Sequence, residues 1–220
     1  MELIKQAIDL FLNLDSHLAE IIENYGGWTH GILFLIIFCE TGLVVTPFLP
    51  GDSLLFAAGI FAGAGLLELG WLMLILTVAA ILGDAVNYSI GFRIGQRLLD
   101  RPNSRIFKKE YIERTHKFYE KYGGKTIIIA RFVPIVRTFA PFLAGVGRMS
   151  YFKFAVYNVT GAIGWVTICV LSGYFFGSTR FVKENFSLMM IIVIVISLLP
   201  GLYEFIRHKL DKRKKESLAS

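Results

Sequence analysis

Two acids and two arginines stand where hydrophobic sequence should not hold charge: Glu40 and Asp52 in one apolar stretch, Arg131 and Arg137 in another. Each would oppose insertion by about 2.5–3.5 kcal/mol at the centre of a lone membrane helix, so together they must meet partners or water. Their types suggest a division of labour. A guanidinium stays charged at any depth and grips a phosphate through two parallel N–H bonds, which points to an anionic ligand at Arg131 and Arg137. A carboxyl beside such an arginine can exchange a proton as its surroundings change, so Glu40 and Asp52 read as proton- or ion-coupling groups. The plainer reading is that the four pair as glue across an interface. Placement argues against it: the charges lie beside helix breaks, at Pro47, Pro50 and Gly51 in the first stretch and Pro134 and Pro141 in the second, and glue needs no broken helix.

Weaker candidates surround these four. Asp84, Asn87 and Tyr88 share one turn of an apolar helix and could line a cavity, or could serve helix packing. Asn158 and Trp165 stand in the same ambiguity. His17, His30, His116 and His208 form no ligand cluster, so no metal is expected. Cys39 and Cys169 sit in apolar surroundings without metal or disulfide spacing and read as packing residues. The sequence has no GxxxxGK[ST] phosphate loop, GxSxG or HExxH, which leaves no known hydrolase site and no catalytic residue to name.

The elements that must position these residues are membrane helices. Hydrophobic residues make up 55% of the 220 and charged residues 18%, beyond the usual composition of soluble domains. Leu69 to Ile90 holds a single acid, Asp84, and Leu188 to Leu202 holds no charge. Segments of this kind approach the roughly 20 residues a bilayer core demands. The chain therefore reads as an all-α, polytopic membrane protein, divided as follows. Residues 1–27 form an amphipathic surface helix, with Ile4, Ile8, Phe11, Leu14, Leu18, Ile21, Ile22 and Tyr25 on one face. Residues 28–180 form the membrane domain: a re-entrant hairpin over 31–67, a transmembrane helix over 69–90, a basic loop over 93–125, a second hairpin over 126–147 and a transmembrane helix over 152–176. The basic loop includes a surface helix carrying Tyr111, Thr115, Phe118 and Tyr122. A last transmembrane helix covers 188–206 and a basic tail 207–220. The acid-rich start, with Lys5 as its one base, does not read as a cleaved signal.

Broken segments at membrane depth are tolerated where they line a wet cavity or lie buried in protein. They also recur. Ala58-Gly59 closes the first, followed by Gly83 and Gly91-x-x-x-Gly95; Ala144-Gly145 closes the second, followed by Gly164 and Gly173-x-x-x-Gly177. Paired interrupted segments with weak internal symmetry point to an inverted-repeat transporter with its site between the repeats. Charge sets the orientation. Of 23 Lys and Arg, ten fall in 93–125 and six in 207–220, against one before residue 93. The positive-inside rule makes that loop and the C-terminus cytoplasmic, so the hairpins enter from opposite leaflets. The basic face suits anionic lipid headgroups rather than nucleic acid.

The stretches from Glu40 to Leu55, ETGLVVTPFLPGDSLL, and from Arg131 to Gly145, RFVPIVRTFAPFLAG, resemble the two signature motifs of the DedA family, whose wider group is the VTT domain. The resemblance covers residues 30 to 180. It implies a bacterial inner-membrane protein with two opposed hairpins that moves phospholipids, or the lipid carrier undecaprenyl phosphate, between leaflets. It also implies that Glu40 and Asp52 match the family's essential acids and Arg131 and Arg137 its essential arginines, with proton coupling.

The expected function is a lipid flippase, not ATP-driven, in which the arginines hold a lipid phosphate and the acids exchange protons. No cofactor is expected beyond H⁺ or Na⁺ as coupling ion, and glycine notches would permit a homodimer. The alternative is a proton- or ion-coupled carrier of small solutes. A lipid phosphatase or transferase is disfavoured because no His or Cys nucleophile is expected beside the arginines; a scaffold would make the charges mere glue.

Overall fold

The structure, a computed structural model, describes residues 26–43, 51–99, 115, 123–177 and 179. The surface helix over 1–27, apart from its last two residues, lies outside them, as do Pro47 and Pro50, most of the basic loop, the helix over 188–206 and the tail. Among the described residues every regular element is helical. A 3-10 turn, Gly26–Trp28, leads into α1 (Thr29–Gly42). Then come α2 (Gly51–Gly63), α3 (Leu69–Leu99), α4 (Lys125–Ala130), α5 (Pro134–Val146) and α6 (Tyr151–Gly177).

Length separates two kinds of helix. At 31 and 27 residues, α3 and α6 rise about 46 and 40 Å, beyond the roughly 30 Å of a bilayer core. The transmembrane expectation for 69–90 stopped short, since α3 continues through Gly91 and Gly95 to Leu99. The 13 or 14 residues of α1, α2 and α5 reach only about 20 Å. Only 33% of the apolar window in α3 and 39% of that in α6 is buried. The core helix of a soluble protein would be mostly enclosed. Here Trp71, Leu74, Val78, Leu82 and Val86 of α3, like Val156, Val159, Ile163 and Ile168 of α6, remain exposed at helical spacing, as lipid-facing side chains do.

The short helices are shared between the long ones in a reciprocal pattern. In the first broken segment α1 packs on α3 and α2 on α6; in the second α4 packs on α6 and α5 on α3. Glycines make the crossings close. A Cβ on Gly59 would fall on the Val170 carbonyl and one on Gly173 on the Phe56 carbonyl, while Gly91 and Gly145 stand in the same mutual relation to Phe142 and Tyr88. Small residues permit such backbone approach where lipid supplies no hydrophobic drive between helices. Gly83 is pressed against Thr41 and Gly42 at the end of α1. Its counterpart at the α4–α6 crossing is Gly161, against Arg131 and Ile128, and not Gly164, which meets nothing within 4 Å.

The breaks are local. Val133 is extended at φ −120°, ψ 104°, as a residue before proline must be, so Pro134 starts α5 and separates it from α4. Pro141, expected as a second break, does not interrupt: α5 runs through it to Val146. Its missing N–H costs one hydrogen bond, to the carbonyl four residues earlier. The chain turns at Arg148, at φ 55°, where Met149 N–H reaches back to Ala144 O.

Buried apolar residues form two clusters. One gathers Leu33, Ile37, Leu55, Leu76, Trp165 and Val170; the other gathers Tyr88, Ile127, Ala144 and Phe154. Along α3, Asp84 falls between Ala80 of the first cluster and Tyr88 of the second; along α6, Asn158 falls between Phe154 and Ala162. The charged residues thus occupy a polar layer between two greasy ones, near the middle of the long helices.

Candidate functional site

Each break presents a charge on both of its sides. Glu40 lies in the last turn of α1 and Asp52 in the first turn of α2. Arg131 caps the end of α4 and Arg137 follows the start of α5, where its N–H makes a helical bond to Val133 O. Four chain ends therefore converge on the polar layer.

The acids and arginines do not pair one to one. Arg137 takes both expected acids: Nη2 bonds Glu40 Oε1, and Nη1 donates to Asp52 Oδ1 at 2.8 Å. Arg131 instead bonds Asp84 and the side-chain oxygen of Asn158 through Nη2. The layer thus contains an ionic triad, Glu40–Arg137–Asp52, and a separate pair, Arg131–Asp84.

Their surroundings differ. Side-chain exposure is 1% for Glu40, 3% for Arg131, 4% for Asp84 and 5% for Arg137, but 17% for Asp52. Asp52 is thus the most open of the five. Glu40 Oε1 also accepts the Gly51 N–H at 3.1 Å, so this carboxylate sits at the start of α2, where an anion is stabilised by free N–H groups and the helix dipole. Among the described residues, three of the charged side chains retain a buried polar atom without a hydrogen-bond partner: Glu40 Oε2, Arg131 Nε and Arg137 Nε.

The lesser candidates divide. Asn87 Nδ2 spans the Thr41 and Thr138 carbonyls at 3.1 and 2.7 Å, tying the end of α1 to α5. Tyr88 donates to Met149 O at 2.5 Å, with its ring stacked 4.4 Å from that of Phe154. Both sit in helix contacts. Asn158 binds Arg131 with one end of its amide and Ile81 O, at 3.0 Å, with the other. Gly51 begins α2; a Cβ there would strike the Glu40 carboxylate.

Two participants were weighed too lightly from sequence. Trp165 is 1% exposed, donates from Nε1 to Asp52 Oδ1 at 2.7 Å, and has the Arg137 and Arg131 guanidinium carbons 4.9 and 5.9 Å from its ring. The signal was a tryptophan in the middle of a span rather than at the lipid interface where the residue concentrates. Cys169, one turn further along α6, lies within electrostatic reach of Asp52, Arg137 and Glu40.

Comparison with known proteins gives this geometry a lineage. Residues 49–175 match the VTT domain. The chain is 57% identical to Protein DedA of Escherichia coli over 211 residues, covering 95% of this chain and 96% of that one. It is 47% identical over 174 residues to an uncharacterized membrane protein of Mycobacterium tuberculosis, covering 78% and 76%. It is 34% identical over 174 residues to the inner membrane protein YqjA of Escherichia coli, covering 77% and 79%. No solved structure matches.

Proposed function

This chain belongs to the DedA family of membrane proteins, and from that premise we propose that it carries a phosphate-bearing lipid between the leaflets of a bacterial inner membrane without ATP. The cargo class is a phospholipid or undecaprenyl phosphate. The observation that carries this reading is the seat of Glu40, whose carboxylate lies between the N-terminus of α2 and the Arg137 guanidinium. A helix N-terminus joined to an arginine is an anion site, and here the chain fills it with an anion of its own. A headgroup phosphate that displaces Glu40 from Arg137 takes over the guanidinium, and Glu40 keeps the Gly51 N–H.

Protons enter the cycle through the same contacts. Protonating Glu40 or Asp52 weakens its hold on Arg137 and frees the guanidinium for phosphate; losing the proton restores the triad and expels the headgroup. Arg137 makes the first contact, from the more open Asp52 side. Arg131, neutralised by Asp84, also lies within reach of the Trp165 ring. The apolar tail of the cargo stays in the bilayer.

The reciprocal packing of α1 and α2, and of α4 and α5, on the two long helices supports two re-entrant hairpins entering from opposite leaflets. That arrangement would expose one site alternately to either side. On this reading the 93–125 loop and the C-terminus would face the cytoplasm, as the positive-inside rule favours.

The test is translocation of a labelled lipid phosphate in proteoliposomes. Arg137→Ala is expected to abolish it in protein that still purifies folded, with a lowered thermal midpoint because Glu40 and Asp52 lose their shared cation; undiminished transport in that variant overturns the site assignment.

A further inference from the structure

We propose that Trp165 is the positioning residue that holds Asp52 while Arg137 is given over to a phosphate, and that this exchange of partners sets the affinity of the site. The inference rests on the carrier reading above and names a device within it.

Both acids of the triad have a reserve donor that is neutral and independent of Arg137. For Glu40 it is the Gly51 N–H, at 3.1 Å from Oε1. For Asp52 it is the indole N–H, at 2.7 Å from Oδ1, the same oxygen that receives Arg137 at 2.8 Å. Two donors on one oxygen allow one to leave. Without the indole, releasing Arg137 would strand the Asp52 Oδ1 in a largely desolvated layer, and a carboxylate left so is costly. The N–H cannot drift away as water would, because Trp165 is buried among Leu55, Ala79, Ala162 and Val166 in the apolar cluster on that side. A buried indole must find an acceptor for its N–H, and of the neighbouring acids it takes the most exposed one. The ring serves a second end. Its face is within cation–π reach of both guanidiniums, which keeps Arg137 near its place when its carboxylates change partners.

The sign of the effect follows. In the closed triad Asp52 has two donors, and removing the indole N–H leaves one. With phosphate on Arg137, Asp52 has the indole alone, and removing it leaves none. The bound state suffers more, so phosphate binding weakens, by about tenfold for one hydrogen bond to a charged group.

The experiment titrates the full-length protein in phosphatidylcholine nanodiscs with dihexanoyl phosphatidic acid, and in a parallel arm with inorganic phosphate. Trp165→Phe keeps an aromatic face and removes the donor. Should that variant fold poorly, replacing Trp165 with benzothienylalanine substitutes sulfur for the N–H and keeps the indole shape. Both are expected to bind the phosphatidic acid about tenfold more weakly than wild type. In an Asp52→Asn background, which needs no donor to hold a charge, the same replacement is expected to cost less than about twofold. That loss of coupling is a readout which a merely structural tryptophan would not give. Equal losses in both backgrounds, or none in either, overturn the role of Trp165 and leave the carrier reading standing. Tryptophan-dependent binding of inorganic phosphate alone supports the device and overturns the lipid cargo. No binding in either arm by the wild type overturns both.

Discussion

At the scale of residues, the two arginines have different duties. Arg131 is matched by one acid, Asp84, and by Asn158, which makes a compensated and inaccessible pair; Arg137 is shared by two acids, one of them partly open. Removing one member of a buried pair leaves its partner charged in a low-dielectric layer, at about 3–5 kcal/mol, whereas replacing both with apolar groups of similar size is often neutral. Asp84→Asn is therefore expected to lower stability by about that much, and Asp84→Leu with Arg131→Met to recover most of the loss, both measured by unfolding of the purified protein in detergent. A double variant that recovers stability but not transport assigns Arg131 a part in binding cargo; one that recovers both makes the pair structural. The charges themselves were legible in the sequence, because an ionisable residue in an apolar run is conspicuous whatever it does. Their pairing was not. Arg137 meets Glu40 and Arg131 meets Asp84 across separations of 97 and 47 residues, and no local pattern says which acid lies opposite which base. Asp84 read as either a cavity or a packing residue for that reason: its helix was recognisable and its neighbour was not.

At the scale of elements, the short helices depend on glycine for their seats. Because a Cβ at Gly91 or Gly173 would fall on a carbonyl of the facing helix, Gly91→Ala and Gly173→Ala must spread the α3–α5 and α2–α6 crossings. Gly164 offers the contrast, being open to 4 Å. Gly164→Ala gains helix propensity, up to about 1 kcal/mol, and is expected to be neutral or stabilising, while the other two lower the thermal midpoint and the transport rate together. A Gly91→Ala protein as stable as wild type would show that the crossing yields easily. The glycine spacing did announce close helix crossings, since notches leave a trace in sequence as pairs four residues apart. It could not announce that each notch receives the short helix of the other half, because that is a fact of tertiary packing. Proline was a less faithful guide. Pro134 breaks the chain by forcing Val133 extended, whereas Pro141 lies within α5 and is tolerated there; the same residue type gives both outcomes according to whether the turn before it is already helical.

At the scale of the whole molecule, the decisive quantity is the net charge that must sit at membrane depth. Among the described residues the layer holds three acids, Glu40, Asp52 and Asp84, and two arginines, Arg131 and Arg137. With all five ionised it carries one excess negative charge, which a single proton on the triad cancels. A headgroup that brings one negative charge requires one further proton, on a group other than the Asp52 carboxylate held by the indole, for the loaded layer to be neutral as well. The empty and loaded forms then differ by a proton for each unit of headgroup charge, and neither moves net charge when the site changes sides. A carrier built on this count is electroneutral. An uncompensated charge crossing the membrane field would respond by about 2.3 kcal/mol per 100 mV, equivalent to about fiftyfold in the distribution of cargo between leaflets. In proteoliposomes, a potassium diffusion potential of that size set by valinomycin is expected to leave lipid phosphate translocation unchanged at fixed pH. A pH difference of one unit should bias a singly charged headgroup by about tenfold, toward the side to which protons run. Translocation that follows the potential and ignores the pH difference would show that the charge in this layer is not balanced by protons, and would leave the acids as competitors for Arg137 without a coupling role.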